Sequence, residues 1–198
     1  MKTEYEKCLA GEPFIGGNDP KIVNMILHTR RLLAQFNTTD YADIKRKQAL
    51  LHEMFGSIGK NVHVDIDFHC EHGKHIFIGD NVIINMNCTF IDNNRIDIGN
   101  NVLIAPNVQI YTATHSTKFN ERMVQNTSEG QEICLTYALP VKIEDGVWIG
   151  GGTIILPGAT IGKNSVIGAG SVVTRSIPAN CIAVGNPCRV IKHIDNDD

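Results

Sequence analysis

The sequence has no long apolar run. No stretch approaches the roughly 18 residues that a membrane helix needs, and the opening MKTEYEKCLAGEPF lacks the apolar segment of a secretory leader. A soluble, cytoplasmic protein with no membrane partner is the expectation. There is no basic excess either. Lys and Arg number 18 against 21 Asp and Glu, giving a net charge of −3, so no positive field invites nucleic acid. The six cysteines, Cys8, Cys70, Cys88, Cys134, Cys181 and Cys188, include no CxxC pair. That argues against a disulfide frame or zinc ribbon and for reduced, structural thiols. At 198 residues the chain is long enough for one domain, or one domain with a small appendage.

What the sequence does have is period. The N-terminal quarter reads as helix. Asp19-Pro20 is a start signal with Pro at the first helical position. Ile22, Val23, Ile26, Leu27, Leu32, Leu33 and Phe36 then form a helical stripe. A second helix is expected from about Thr39-Asp40, carrying Ile44, Leu50, Met54 and Phe55 and ending at Gly56 as a C-cap. Beyond residue 56 aliphatics recur every six: Ile78, Ile84, Phe90; Ile98, Ile104, Ile110; then Ile143, Ile149, Ile155, Ile161, Ile167, Val173. Small or β-branched residues follow four places later, as at Val82, Val102, Thr153, Ala159 and Ser165. A period of six is neither helix nor plain strand alternation. It predicts a hexapeptide solenoid with three short strands per triangular coil. Two places break the period. Phe90 to Ile98 is eight residues, a bulge around 92–94, and Ile110 to Ile143 is thirty-three. The longer break starts at YTATHST, Tyr111–Thr117, and puts His115 at the root of a long excursion, where insertions into repeats often carry function.

The KCLAGEPF start, IAPNVQIYTATH, VWIGGGTIILPGATIGKNSVIGAGSVVTRSIP and the ending VGNPCRVI together resemble the maltose/galactoside O-acetyltransferase family. The resemblance spans about Tyr5 to Ile194. It implies an all-β, left-handed parallel β-helix with an N-terminal helical hairpin and a long inserted loop. The expected layout is 1–56 helical, 57–192 β-helix with the loop at about 116–140, and a tail at 193–198. It also implies a homotrimer and acetyl transfer from acetyl-CoA to a hydroxyl of a sugar-like acceptor, with no metal.

The family's roles map onto residues here. His115 matches the general base, a task that an imidazole near neutral pKa suits. Asn85 matches the asparagine that stabilises the transition state, and its amide can donate to an oxyanion; a plain corner Asn is the alternative. Gly151 falls where backbone N–H meets acetyl-CoA, or is a corner glycine. Ala169, Thr174 and Arg175 match the CoA groove. Arg189 and Lys192 match phosphate contacts, as cations suit, or are solvated charges. Trp148, the lone tryptophan, is expected at a strand edge or beside the donor groove. For the acceptor, Glu71, Asp92 and Asn93 match contacting positions, and Met123 is a candidate wall. Gly16 and Gly17 stand where galactoside relatives place an acidic residue.

Other functions are weighed against this one. A hexapeptide carbonic anhydrase needs three zinc-binding histidines, and no second histidine follows His115 closely. A non-catalytic β-helix scaffold would not need His115, and transfer to an antibiotic or amine differs only in the acceptor pocket. His63, His69, His72 and His75 crowd one stretch, but alternation and repeat phase are expected to scatter them over different faces.

Overall fold

The computed structural model describes residues 1–123 and 134–194. Four helices occur among them: α1 (Glu4–Leu9), α2 (Pro20–Thr38), α3 (Ile44–Met54) and α4 (Phe119–Arg122). α1 begins with a capping box in which Thr3 and Glu6 satisfy each other's backbone N–H. The Asp19 carboxylate caps α2 by accepting from Lys21 N–H, and Pro20 takes the first helical position.

Two expectations here need correction. The second hairpin helix starts later than Thr39-Asp40: Asp43 is its N-cap, its side chain accepting from Arg46 N–H. Gly56 is not the C-cap either, since α3 ends at Met54 with Phe55 as its C-cap. Gly56 is small for a different reason. A Cβ there would lie 2.5 Å from the Lys74 carbonyl and 2.8 Å from the Phe77 ring.

From Ser57 onward the chain winds into a three-faced coil. The first face stacks Ser57–Ile58, Ile76–Ile78, Ile96–Ile98, Val141–Ile143 and Thr160–Ile161, all parallel. The second stacks His63–Val64, Ile83–Ile84, Leu103–Ile104, Trp148–Ile149, Val166–Ile167 and Cys181–Val184, closed by the antiparallel strand Arg189–His193. The third stacks His69–Cys70, Thr89–Ile91, Gln109–Tyr111, Ile154–Ile155 and Val172–Val173.

Register explains the period of six. Ile84, Ile104, Ile149 and Ile167 pair in line on the second face. Phe90, Ile110, Ile155 and Val173 do so on the third. Each is fully buried, and so are the small residues four places on, such as Val82, Thr153 and Ser165. Two of every six side chains therefore fill the prism. Its open end is plugged by the helices: Leu50, Leu51, Met54 and Phe55 join the same core, and Phe68 packs edge-on between Phe55 and Phe90 at 5.7 and 5.1 Å.

The corners are not equivalent. Between the first and second faces each coil turns through one left-handed residue: Asn61, Asn81, Asn101, Gly146, Asn164, Asn180. Asparagine tolerates that backbone, and here it also forms a ladder. Asn61 donates to Asn81, and Asn81 to Asn101, at 3.0 Å each. The second–third corner repeats the device with Asp67, Asn87, Asn107, Gly152 and Gly170.

The third corner is irregular. Residues 71–75, 92–95 and the long excursion after Tyr111 all leave the prism there, in three successive coils. Asn94 fastens it. This buried amide donates to the Cys8 carbonyl at 3.0 Å and the Ala138 carbonyl at 2.9 Å, and its Oδ1 accepts from Arg95 N–H at 2.7 Å. Asn94→Ala leaves those groups unsatisfied and is expected to cost about 1–3 kcal/mol in urea denaturation. An unchanged midpoint would mean that the fastening carries no stability.

Candidate active site

The third corner carries a groove of about 470 Å³ whose lining includes Glu71, Asn93 and His115 from successive coils. The N-terminal segment closes one side. Phe14 and Thr136 exchange backbone hydrogen bonds at 2.9 and 3.0 Å, and both face the groove together with Gly16. Gly16 belongs to a 3₁₀ turn, Gly16–Asn18, so the segment lacking an acidic side chain does border this space.

His115 is exposed and follows the short strand Ala113–Thr114, which pairs antiparallel with Tyr137–Ala138 across the base of the excursion. Its Nδ1 lies 2.9 Å from the Leu135 carbonyl oxygen. A carbonyl only accepts, so Nδ1 carries a proton, and in the neutral ring Nε2 then keeps its lone pair. Leu135 is held in turn: its N–H donates to the Arg122 carbonyl at 2.8 Å, and Arg122 Nη1 donates to the Ser116 carbonyl at 3.0 Å. An imidazole oriented in this way at a polar groove can act as a base through Nε2.

Asp92 does not reach the groove. It is fully buried, and its Oδ1 accepts from the Glu71 and His72 N–H groups at 2.9 Å each. It thus holds the backbone that presents Glu71, in place of the acceptor contact expected of it. Beside it, Cys8 donates to the Asn93 carbonyl at 3.0 Å. Burial, with the Glu71 and Asp92 carboxylates adding to it, pushes that thiol up to about 12, so it is an inert filler. Met123 bridges to Cys134 and is not part of the lining, whereas Cys134 is.

The remaining candidate residues lie outside the lining of this groove. Asn85 follows Ile84 at the second–third corner, its Nδ2 donating to the Ile104 carbonyl at 2.8 Å. Gly151 and Ala169 follow Ile149 and Ile167 on that same edge, joined through Gly170 N–H to the Gly151 carbonyl at 2.9 Å. Thr174 and Arg175 are exposed just after Val173, on the His115 edge. Arg189 and Lys192 are exposed on the last strand of the second face. One chain therefore gathers Glu71, Asn93 and His115 on one edge and leaves Asn85, Gly151 and Ala169 on another.

The histidine-rich stretch divides. His63 and His69 are exposed on the second and third faces, as alternation implies. Against that expectation, His72 and His75 turn inward together and meet Asp92. Sequence reading also missed Phe14, Cys134 and Thr136 as groove residues. They sit in non-repeating segments, where no period marks a facing.

Known proteins share these features. Residues 7–59 match the family model described as the maltose acetyltransferase hexapeptide capping motif, and residues 140–175 match that of the bacterial transferase hexapeptide. A solved maltose O-acetyltransferase from Clostridium difficile 630 is 45% identical, covers 98% of this chain and 99% of its own, and superposes with a TM-score of 0.91. A galactoside acetyltransferase solved with coenzyme A is 35% identical over 100% of this chain and 94% of its own, also at 0.91. A Saccharomyces cerevisiae relative, 44% identical over 98% of this chain and 94% of its own length, carries a provisional acetyltransferase name without an acceptor. The prism is the left-handed parallel β-helix of these acetyltransferases, and the chain belongs to the maltose/galactoside O-acetyltransferase family.

Proposed function

We propose that this protein transfers the acetyl group of acetyl-CoA to a hydroxyl of a sugar or sugar-like alcohol, with His115 as general base. The observation that carries the reading is the His115 Nδ1 bond to the Leu135 carbonyl, beside a groove that also holds Glu71 and Asn93. In the reaction, His115 Nε2 takes the acceptor hydroxyl proton as its oxygen attacks the thioester carbonyl. The tetrahedral oxyanion is met by the Asn85 amide and the Gly151 N–H. Collapse breaks the C–S bond, and the CoA thiolate recovers the proton from His115.

Acetyl-CoA as co-substrate is supported by relatives solved with coenzyme A and, in one from Vibrio cholerae, with acetyl-CoA. Ala169, Thr174 and Arg175 would line its path, with Arg189 and Lys192 toward its phosphates. No helix among the described residues is long and apolar enough to cross a membrane.

Because Asn85 and His115 stand on different edges of one prism, the reading requires neighbouring copies, as in a homotrimer. The second face supports this. Its outward row Ile83, Leu103 and Trp148 is 45%, 39% and 50% exposed, an apolar stripe suited to burial against another copy.

The direct test is an acceptor screen with acetyl-CoA that follows free thiol release. Glu71 is the acceptor residue to probe, since a carboxylate can accept from paired sugar hydroxyls. Glu71→Ala is expected to raise the acceptor KM about tenfold, the result of losing about 1.5 kcal/mol, with the acetyl-CoA KM unchanged. Unaltered acceptor kinetics, or turnover on amines or antibiotics alone, would reject the sugar acceptor.

A further inference from the structure

Beneath the groove the third corner encloses a cluster that the acetyl-transfer reading does not use. We propose that His72, His75 and Asp92 form a buried structural site for a divalent transition metal ion, with zinc the best chemical match. His72 and Asp92 are fully buried and His75 nearly so. One ring nitrogen from each histidine and a carboxylate oxygen lie within 4.8 Å of one another.

Two atoms of the cluster, His72 Nε2 and Asp92 Oδ2, are buried without a hydrogen-bond partner. Both are electron-pair donors. His72 Nδ1 lies 3.0 Å from the Asp92 carbonyl oxygen, which only accepts, so that nitrogen holds a proton and in the neutral ring Nε2 is bare. His75 is oriented in the same way, its Nδ1 2.8 Å from the same carbonyl. An imidazole whose other N–H donates to a backbone carbonyl is the outer-shell arrangement of metal-binding histidines. Here a single carbonyl orients both rings.

An unpartnered carboxylate oxygen and the bare His72 nitrogen, shut away from solvent, form an electron-rich site that a cation relieves. Two nitrogens and one oxygen suit zinc or cobalt, and not calcium or magnesium, which prefer all-oxygen sets. Bonds of about 2.1 Å place tetrahedral ligands roughly 3.4 Å apart, so the side chains draw together on the ion. Such a site is structural, because burial leaves no room for a substrate. It would brace Glu71, whose N–H is already held by Asp92 Oδ1 at 2.9 Å, and it would take the His75 Nε2 lone pair in exchange for its 3.2 Å contact with the Tyr5 hydroxyl of α1, leaving that hydroxyl beside the ion as the fourth ligand.

The test needs no acetyl-transfer assay. Untagged protein is unfolded in urea with a chelator, then refolded with or without Zn²⁺ or Co²⁺, so that burial does not block entry. The expected result is one ion per chain after desalting, a raised Tm, and the visible absorption of tetrahedral cobalt. His72→Gln should weaken binding by at least about 100-fold, beyond the 10–100-fold cost of losing an outer-shell partner, while His63→Gln, altered at the exposed second face, binds as wild type. Absence of stoichiometric metal with an unmoved Tm would overturn the site and leave a bridging water or a proton there. Wild-type affinity in His72→Gln would also overturn it, by placing the ion elsewhere. Should His72→Gln fail to refold, the cobalt spectrum and Tm of the unaltered protein still decide.

Discussion

Replacing His115 with alanine is expected to lower turnover by about 10²–10⁴-fold, the range lost with a positioned general base. The effect should fall on kcat and leave coenzyme A affinity nearly unchanged, because the proposed base acts on the acceptor proton. The structure makes this a clean experiment. His115 is exposed, and its Nδ1 bond to the Leu135 carbonyl lies at the rim. The surrounding strand pair, Ala113–Thr114 with Tyr137–Ala138, is held by backbone bonds that the substitution does not touch. Loss of activity with an unchanged Tm therefore reports chemistry and not unfolding. A variant that keeps wild-type turnover on a true acceptor removes His115 as the base.

The prism was legible because its residues obey a spacing. Ile84, Ile104, Ile149 and Ile167 must stack, and only a period of six allows that. The place of His115 at the root of the excursion was legible because the period stops there. The third corner was legible only in part. The eight-residue step from Phe90 to Ile98 stood out, yet the same step from Cys70 to Ile78 passed unnoticed, because Val64 and Cys70 were not read as repeat positions. Recognising both steps would have placed Glu71 and Asn93 in neighbouring loops of one edge.

What lay beyond the sequence was direction. In the pair Asp92-Asn93, one side chain turns to the backbone of Glu71 and the other to the groove. No period assigns a facing inside a bulge. The same holds for His72 and His75, which share an interior although alternation was expected to part them from each other. The Leu135 carbonyl that orients His115 is a backbone atom twenty residues away, which residue type does not reveal. Gly56 shows the reverse error: glycine after a helix suggested a left-handed cap, while the need was room against Lys74 and Phe77.

Mixing two inactive variants should restore activity, and this is the sharpest test of the assembly. His115 belongs to the third–first corner of the prism and Asn85 to the second–third corner, so a site that uses both takes them from different copies. Asn85→Ala alone is expected to lower turnover by about 10²–10³-fold, as for a lost oxyanion donor. Consider His115→Ala and Asn85→Ala chains unfolded together in equal amounts and refolded into rings. A site is intact when its histidine comes from an Asn85→Ala chain and its asparagine from a His115→Ala neighbour. Random closure of a cyclic trimer gives that arrangement at about one site in four. The mixture should thus recover roughly a quarter of wild-type activity, far above either parent. Refolding each variant separately before mixing should recover none until subunits exchange. If both residues served one chain's own site, no mixture could exceed its parents. A monomer in light scattering at micromolar concentration would defeat the shared site as well, and would leave the apolar row of Ile83, Leu103 and Trp148 facing water.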